Sequence, residues 1–124
     1  MTVPPDEAPR LLGRDYWLIV STPAVGTGQA GIDALAGEHV RWLLGLEREH
    51  VVVMSGPLLS GPGTGPGSGV TVLRAAGAAE AEAIAAQDPF VRAGLRTFAI
   101  YQWRVNEGSI GIQLSLGTGT YDWK

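Results

Sequence analysis

The chain has 124 residues, of which 45% are hydrophobic and 17% are charged, a length and composition that predict one soluble globular domain. It has no cysteine, which excludes a thiol nucleophile, a thiolate metal site and a disulfide framework, and fits a reducing, cytoplasmic location. Twelve Asp and Glu outnumber nine Lys and Arg, so we expect no nucleic-acid partner, because binding phosphates needs a clustered cationic surface. The N-terminus lacks the features of a signal peptide and no window is apolar over the length of a membrane span, so we also expect no membrane contact.

The predicted elements begin with a strand and a helix. Residues 15–22 are rich in aromatic and β-branched side chains and stop at Pro23, which is typical of a strand. Apolar residues then recur every three or four positions from Ile32 to about Glu49, a spacing that predicts a helix. The remaining predicted elements are a strand at 51–58, a hairpin loop at 60–68, a strand at 69–74, an alanine-rich helix at 78–86 and a strand at 97–105.

The order β-α-β-β-α-β predicts an α+β fold, the ferredoxin-like sandwich, in which two helices cover one face of an antiparallel sheet. We assign this domain to residues 15–105. Residues 1–14 are predicted to be a disordered extension. Residues 106–124 are predicted to be a C-terminal extension with one extra strand, because apolar and polar residues alternate from Ile110 to Gly117.

Apolar residues occupy both faces of the predicted sheet. In the first strand, Tyr16, Leu18 and Val20 alternate with Trp17 and Ile19. Since the helices cover one face, we expect the other face to be buried against a second copy of the chain, and we predict a homodimer through the helix-free sheet face. The alternative is that the C-terminal segment folds over that face.

Two patterns that suggest cofactors have simpler interpretations. Residues 26–31 match the dinucleotide-binding pattern G-x-G-x-x-G. However, Pro23 ends the strand before the first glycine, and the next two strands form a hairpin instead of a parallel unit, so we predict a flexible loop and no cofactor. His39 and His50 would stand about 16 Å apart on one helix, too far to bind one metal ion together, and we predict no metal site.

Two other positions carry candidate chemistry. His39 lies on the apolar stripe of the first helix, one turn from both Leu35 and Leu43, so its ring faces the sheet and needs a hydrogen-bond partner. Asp88 precedes Pro89 and is expected to cap a helical turn, and it follows the buried face of the second helix. Because the two helices pack side by side, the two side chains could meet. Each residue also has a purely structural interpretation, as a satisfied core histidine and as a helix cap.

Three segments stand in a suggestive order and spacing: Glu38–Leu43 in the first helix, Ser55–Leu58 in the second strand, and Ala85–Gly94 after the second helix. In these segments the chain resembles the YciI-like, or YCII-related, proteins, and the similarity covers about residues 16–105. The resemblance implies a dimer of the dimeric α+β barrel type in which a His and Asp pair lines an active-site cavity. Related enzymes act on small aromatic or lactone compounds, by dehydrochlorination or isomerisation.

The resemblance implies that His39 and Asp88 are the catalytic pair and that Ser55 and Gly56 bind substrate beside it. Trp42, one turn beyond His39, is a candidate for the wall of an apolar pocket that binds a planar ligand, but core packing is the favoured interpretation. The predicted function is a small-molecule enzyme of lyase or isomerase type that transfers protons through the His–Asp pair. The alternative is a non-catalytic, dimeric ligand-binding or interaction module in which the same pair only ties the helices together.

Overall fold

The computed structural model describes residues 3–124 of the chain. Met1 and Thr2, the first residues of the predicted disordered extension, lie outside the described residues. The elements in chain order are β1 (Arg14–Pro23), α1 (Gln29–Arg48), β2 (Val52–Pro57), β3 (Gly69–Leu73), α2 (Ala78–Ala85), α3 (Pro89–Arg92), β4 (Arg96–Val105), β5 (Ile112–Ser115) and β6 (Thr120–Trp123). Among the helices of the described part, none is long and apolar enough to cross a membrane.

The first four strands form one sheet in the order β2-β3-β1-β4. Strand β3 pairs antiparallel with both β1 and β2, with Leu73 opposite Trp17 and Thr71 opposite Ser55. Strands β1 and β2 are connected through α1, and β3 and β4 through α2 and α3. This order and these connections are those of a ferredoxin-like sandwich, so the predicted α+β fold class is confirmed.

The hydrophobic core lies between the helices and one face of this sheet. Its centre is formed by Ile19 of β1, Leu73 of β3 and Ala85 of α2, all nearly inaccessible to solvent. Alanines at the buried positions of α2 let the helix lie close to the sheet, and Ala81 is completely buried. Around this centre pack partly buried side chains of Trp17, Val51, Val52, Ile84, Phe98 and Ile100.

The opposite face of the sheet is also apolar. Leu18 of β1 is paired with Val72 of β3, and by strand alternation both lie on the face opposite Ile19 and Leu73, where Val72 is itself buried at 4% exposure. On the flanking strands, Met54, Tyr101 and Trp103 are 44%, 54% and 42% exposed. The sheet therefore carries a second apolar surface, as the alternation in β1 predicts.

Contacts divide the described residues into two compact units. One is Asp15–Arg104, and the other consists of residues 3–14 together with Val105–Lys124. In the terminal unit, β5 and β6 form an antiparallel hairpin with Ile112 opposite Trp123 and Leu114 opposite Tyr121. The alternation from Ile110 to Gly117 predicts one strand in this region, whereas the structure has two. The second strand, β6, has only two apolar positions, Tyr121 and Trp123, which are too few for the alternation to be recognised.

Helix α1 ends in a Schellman motif with an unusual residue at its key position. The backbone N–H of His50 donates to the carbonyl of Glu47 at 2.9 Å, and that of Val51 donates to the carbonyl of Leu46 at 2.8 Å. His50 has a φ of 60°, in the left-handed region that glycine adopts without a steric penalty. The fold therefore holds a side chain at a position where none is favoured.

We expect His50→Gly to raise the free energy of unfolding by about 1 kcal/mol, because it removes the Cβ clash of the left-handed conformation. The measurement is urea denaturation of the wild type and the variant. His50→Ala is the control, since it removes the imidazole but keeps the Cβ and should bring no gain. An equal gain in both variants would attribute the effect to the imidazole and not to the backbone.

Candidate active site

The side chains of His39 and Asp88 are in contact. His39 projects from α1, and its Nδ1 lies 2.8 Å from Oδ1 of Asp88. Asp88 is the N-cap of α3, where the same Oδ1 accepts a hydrogen bond from the backbone N–H of Phe90 at 3.0 Å. The expected contact and the expected cap are thus both present, and Asp88 serves both at once.

A third residue, Arg96 at the start of β4, completes the cluster. Its Nε and Nη2 donate to Oδ2 of Asp88 at 2.9 and 2.5 Å, and its Nη1 donates to the carbonyl of Gly67 at 3.2 Å. Asp88 is 2% exposed and Arg96 7%. Charge-assisted hydrogen bonds to a guanidinium are the usual way of keeping a carboxylate ionised in a protein interior.

The protonation state of the pair follows from these contacts. Burial by itself would raise the pKa of Asp88, but the hydrogen bond with His39, the charge of Arg96 and the N–H of Phe90 together lower this pKa below its ordinary value of 3.8. An ionised carboxylate only accepts hydrogen bonds. Nδ1 of His39 must therefore carry a proton, which leaves Nε2 as the nitrogen with a free lone pair in the neutral ring.

Nε2 of His39 is accessible from outside the cluster. No hydrogen bond to it occurs within residues 3–124, and no buried polar side-chain atom in that range lacks a partner, so Nε2 must be reachable from solvent. The ring is stacked on Phe90, with 4.3 Å between centroids and 24° between planes. Asp88 at one edge and Phe90 at one face fix the imidazole while Nε2 stays open to a proton donor.

His39 lines a cavity of about 450 Å³ between α1 and the β2–β3 edge of the sheet. This volume is in the range of small-molecule sites. The α1 wall is mainly apolar, and the other walls carry hydroxyl groups and loop backbone; the lining includes Ile32, Ala36, Val40, Leu43, Leu44, Ser55, Gly56, Gly67, Thr71, Phe90 and Arg96. Within residues 3–124, no group of three or more His, Asp or Glu side chains is placed to share a metal ion.

The other predicted site residues fall in two places. Ser55 and Gly56 line the cavity, and Oγ of Ser55 is 3.0 Å from Oγ1 of Thr71, so this wall offers two hydroxyl groups to a ligand. Trp42 lines a different, narrow space of about 10 Å³ beside Asp88 and Arg96. Its ring centroid is 6.0 Å from that of His39, on the core side of the helix. The structure therefore gathers Ser55 and Gly56 with His39 but places Trp42 among the core residues.

Arg96 is the main residue that the sequence analysis misses. It has the same strand parity as the core-facing Phe98 and Ile100, and a charged residue at such a position needs a buried partner. The predicted strand begins at Thr97, one residue later than β4, so Arg96 falls outside it. If the alternation of β4 is extended back by one residue, Arg96 faces the core and needs a buried acidic partner, which Asp88 provides.

Gly67 is a second missed contributor. Its φ is 94°, and a Cβ at this position would lie 2.9 Å from Cδ1 of Ile32. The positive φ favours glycine here, and with glycine the loop before β3 passes close to Ile32 of α1 and presents the Gly67 carbonyl to Arg96. In the sequence, one glycine among the many of the 60–69 loop carries no signal of this role.

Comparisons with known proteins identify the family of this chain. The model of the YCII-related domain family matches residues 17–104. Among solved structures, the chain is similar to 5-chloro-2-hydroxyhydroquinone dehydrochlorinase from Burkholderia phenoliruptrix in complex with 2,5-dihydroxybenzoquinone, with 26% identity and a TM-score of 0.58. That match covers 71% of this chain and 92% of the dehydrochlorinase. A search of curated proteins finds no significant match.

We expect Asp88→Asn to lower the free energy of unfolding by about 3–5 kcal/mol at neutral pH, because Arg96 then keeps a buried charge without a counter-charge. The folded-state pKa of Asp88 is lowered, so the stabilisation by its carboxylate is fully present above the unfolded-state value near 3.8 and is lost as pH falls through the folded-state value. Urea denaturation at a series of pH values gives the free energy of unfolding of both proteins. The difference in this free energy between wild type and variant should become smaller at acid pH.

The control is Asp15→Asn, because Asp15 also pairs with an arginine, Arg104, but at the protein surface. We expect this variant to lose far less stability than Asp88→Asn. Equal losses in the two variants, or a difference for Asp88→Asn that does not change with pH, would contradict the assignment of a buried, ionised Asp88.

Proposed function

Because the chain belongs to the YCII-related domain family, we propose that it is a small-molecule enzyme of lyase or isomerase type in which His39 transfers a proton. The observation that carries this proposal is the orientation of the imidazole. Nδ1 is held by the ionised Asp88, and Nε2 is open beside a cavity of ligand size. The similarity to a dehydrochlorinase that acts on a small aromatic compound supports the same class of reaction.

The proposed reaction begins with the lone pair of Nε2. It accepts a proton from a substrate atom next to a carbonyl or a leaving group, and the electrons of the broken bond move into the substrate. In an elimination they form a double bond and expel the leaving group with its own electron pair; in an isomerisation the proton returns to a different atom. Asp88 stabilises the imidazolium that forms, which then releases its proton to solvent or product.

The walls of the cavity favour a small aromatic or lactone-like substrate. The apolar side chains of α1 provide contact for a planar ring, and the hydroxyl groups of Ser55 and Thr71 offer hydrogen bonds to substrate oxygens. Within residues 3–124 the hydrogen bond of the Ser55 side chain is to the hydroxyl of Thr71 and not to a base, so we propose a binding role for Ser55 and not a nucleophilic one. Gly56 leaves open space beside this wall, because no atom lies within 4 Å of a Cβ at its position.

A second candidate function is a dimeric ligand-binding or interaction module in which the pair is structural. It is favoured by the completeness of the contacts to Asp88, which caps α3 and neutralises Arg96 as well as binding His39. These contacts would explain the presence of Asp88 at this position without any catalytic role. The accessible Nε2 of His39 is what distinguishes the catalytic proposal.

We expect His39→Ala to lower turnover by about 10²- to 10⁴-fold, because it removes the general base. Its effect on stability should be small, since Asp88 keeps its hydrogen bonds from Phe90 and Arg96. The measurements are steady-state turnover of a panel of hydroxylated or chlorinated aromatic compounds and lactones, and thermal unfolding of both proteins.

Glu38→Gln is the control, because Glu38 neighbours His39 on α1 but is exposed. It should leave both turnover and stability unchanged. If His39→Ala instead costs about 1–3 kcal/mol of stability and leaves turnover of a converted compound intact, the structural alternative is correct.

We also propose that the chain forms a homodimer through the helix-free sheet face, defined by Met54, Tyr101 and Trp103 with the apolar residues between them. These large side chains are partly exposed in the single chain, and exposed large apolar side chains on one sheet face are typical of an interface. A two-fold arrangement would pair identical surfaces and close the assembly. A cytoplasmic location stays a prediction.

We expect Tyr101→Glu to shift the protein from dimer to monomer, because it places a charge on the proposed interface. Sedimentation velocity of wild type and variant at micromolar concentration measures the shift. Ala83→Glu, which adds the same charge to an exposed position of α2, should leave the wild-type distribution unchanged. A wild type that sediments only as a 13.0 kDa species would contradict the proposed dimer.

A further inference from the structure

The cavity beside His39 has a carboxylate at some distance from the catalytic pair. Glu47 lies on α1 eight positions beyond His39 and lines the same cavity. Eight residues of helix correspond to two turns and a rise of about 12 Å, so the two groups stand toward opposite ends of the cavity. Between them the helix presents Val40, Leu43 and Leu44 to the cavity.

The charges around the cavity do not cancel. Arg96 is the cation among the described residues that line it, and Asp88 binds this guanidinium through two N–H groups. The ion pair of Arg96 and Asp88 is therefore neutral overall and contributes no net charge to the cavity. With a neutral imidazole at His39, the carboxylate of Glu47 leaves the cavity with a negative formal charge.

The polar groups that remain suit uncharged oxygens. Ser55 and Thr71 present hydroxyl groups, and Gly67 and Gly69 bring loop backbone to the lining. Hydroxyl groups bind a phenol, quinone or lactone oxygen well, whereas a ligand carboxylate in this apolar cavity would need a cationic partner. A carboxylate ligand would also be repelled by Glu47.

We infer that Glu47 is a specificity-determining residue that makes the site select neutral hydroxylated or carbonyl-bearing rings over anionic ones. This inference rests on the proposed function, because it assigns a substrate class to the same cavity. The selectivity depends on the charge of Glu47 on α1, whereas the proposed proton transfer depends on the orientation of His39. It can therefore be tested by binding alone.

The test uses a matched pair of ligands, methyl 2,5-dihydroxybenzoate and 2,5-dihydroxybenzoate, which differ in the presence of a carboxylate. Isothermal titration calorimetry at neutral pH and low ionic strength gives the Kd of each ligand for the wild type, Glu47→Gln and Glu47→Lys. We expect the wild type to bind the ester more tightly. Glu47→Gln should strengthen carboxylate binding about three- to tenfold, and Glu47→Lys should strengthen it further, with the ester unchanged within about twofold.

Glu38→Gln is again the control, since it removes the same charge from an exposed position of α1 closer to His39. It should change neither Kd, and the effect of Glu47→Gln should fade at about 1 M salt, where charges are screened over a few ångströms. The inference is overturned if the wild type binds the carboxylate as tightly as the ester, if neither ligand binds, or if both Gln variants behave alike. Selective binding without turnover of any compound would leave the inference standing and contradict the proposed function.

Discussion

The buried carboxylate of Asp88 joins parts of the chain that are far apart in sequence. Through its two oxygens it contacts the imidazole of His39 on α1, the first turn of α3 at Phe90, and the guanidinium of Arg96 on β4. Arg96 extends the cluster to the loop before β3 through the carbonyl of Gly67. Burying a carboxylate is costly unless it is paired with a cation and hydrogen-bonded, so the packing of these segments and the ionisation of Asp88 depend on each other.

The same interaction sets the chemical state of the site. Because Arg96 and the N–H of Phe90 favour the charged form of Asp88, the carboxylate accepts the Nδ1 proton of His39 and determines the tautomer of the ring. A structural ion pair and an oriented base are thus two results of one arrangement. This is why the contacts of Asp88 alone do not separate a catalytic from a structural role, and why the accessibility of Nε2 carries the distinction.

The sequence predicts the fold and two of the three residues of the cluster, for reasons that can be stated residue by residue. Local patterns along the chain give the element order, and the helical stripe around His39 together with the position of Asp88 after the buried face of the second helix indicates that the two side chains could meet. The start of α1 is less predictable: its N-cap is Gly28, and glycines also stand at positions 26 and 31, so the residue type does not mark which of them is the boundary. Trp42 shares the helical stripe with His39, but spacing along one helix does not say which of two adjacent spaces a side chain lines.

What the sequence could not supply depends on pairing between distant segments. The contact of Arg96 with Asp88 needs the exact start of β4, and the neighbourhood of Ser55 and Thr71 needs the register of β2 against β3. The placement of Glu47 in the same cavity as His39 needs the sheet edge that closes the other side of it. Each of these is fixed by tertiary packing and not by local propensity.

The sharing of one oxygen, Oδ1 of Asp88, between His39 and the backbone N–H of Phe90 couples the imidazole to a very short helix. Helix α3 has only four residues, and short helical segments open more readily than the body of a domain. Each opening of this turn would release the ring from its carboxylate and from the aromatic surface it rests on. Deuterium uptake at the amide of Phe90 would thus report how often the base is out of position.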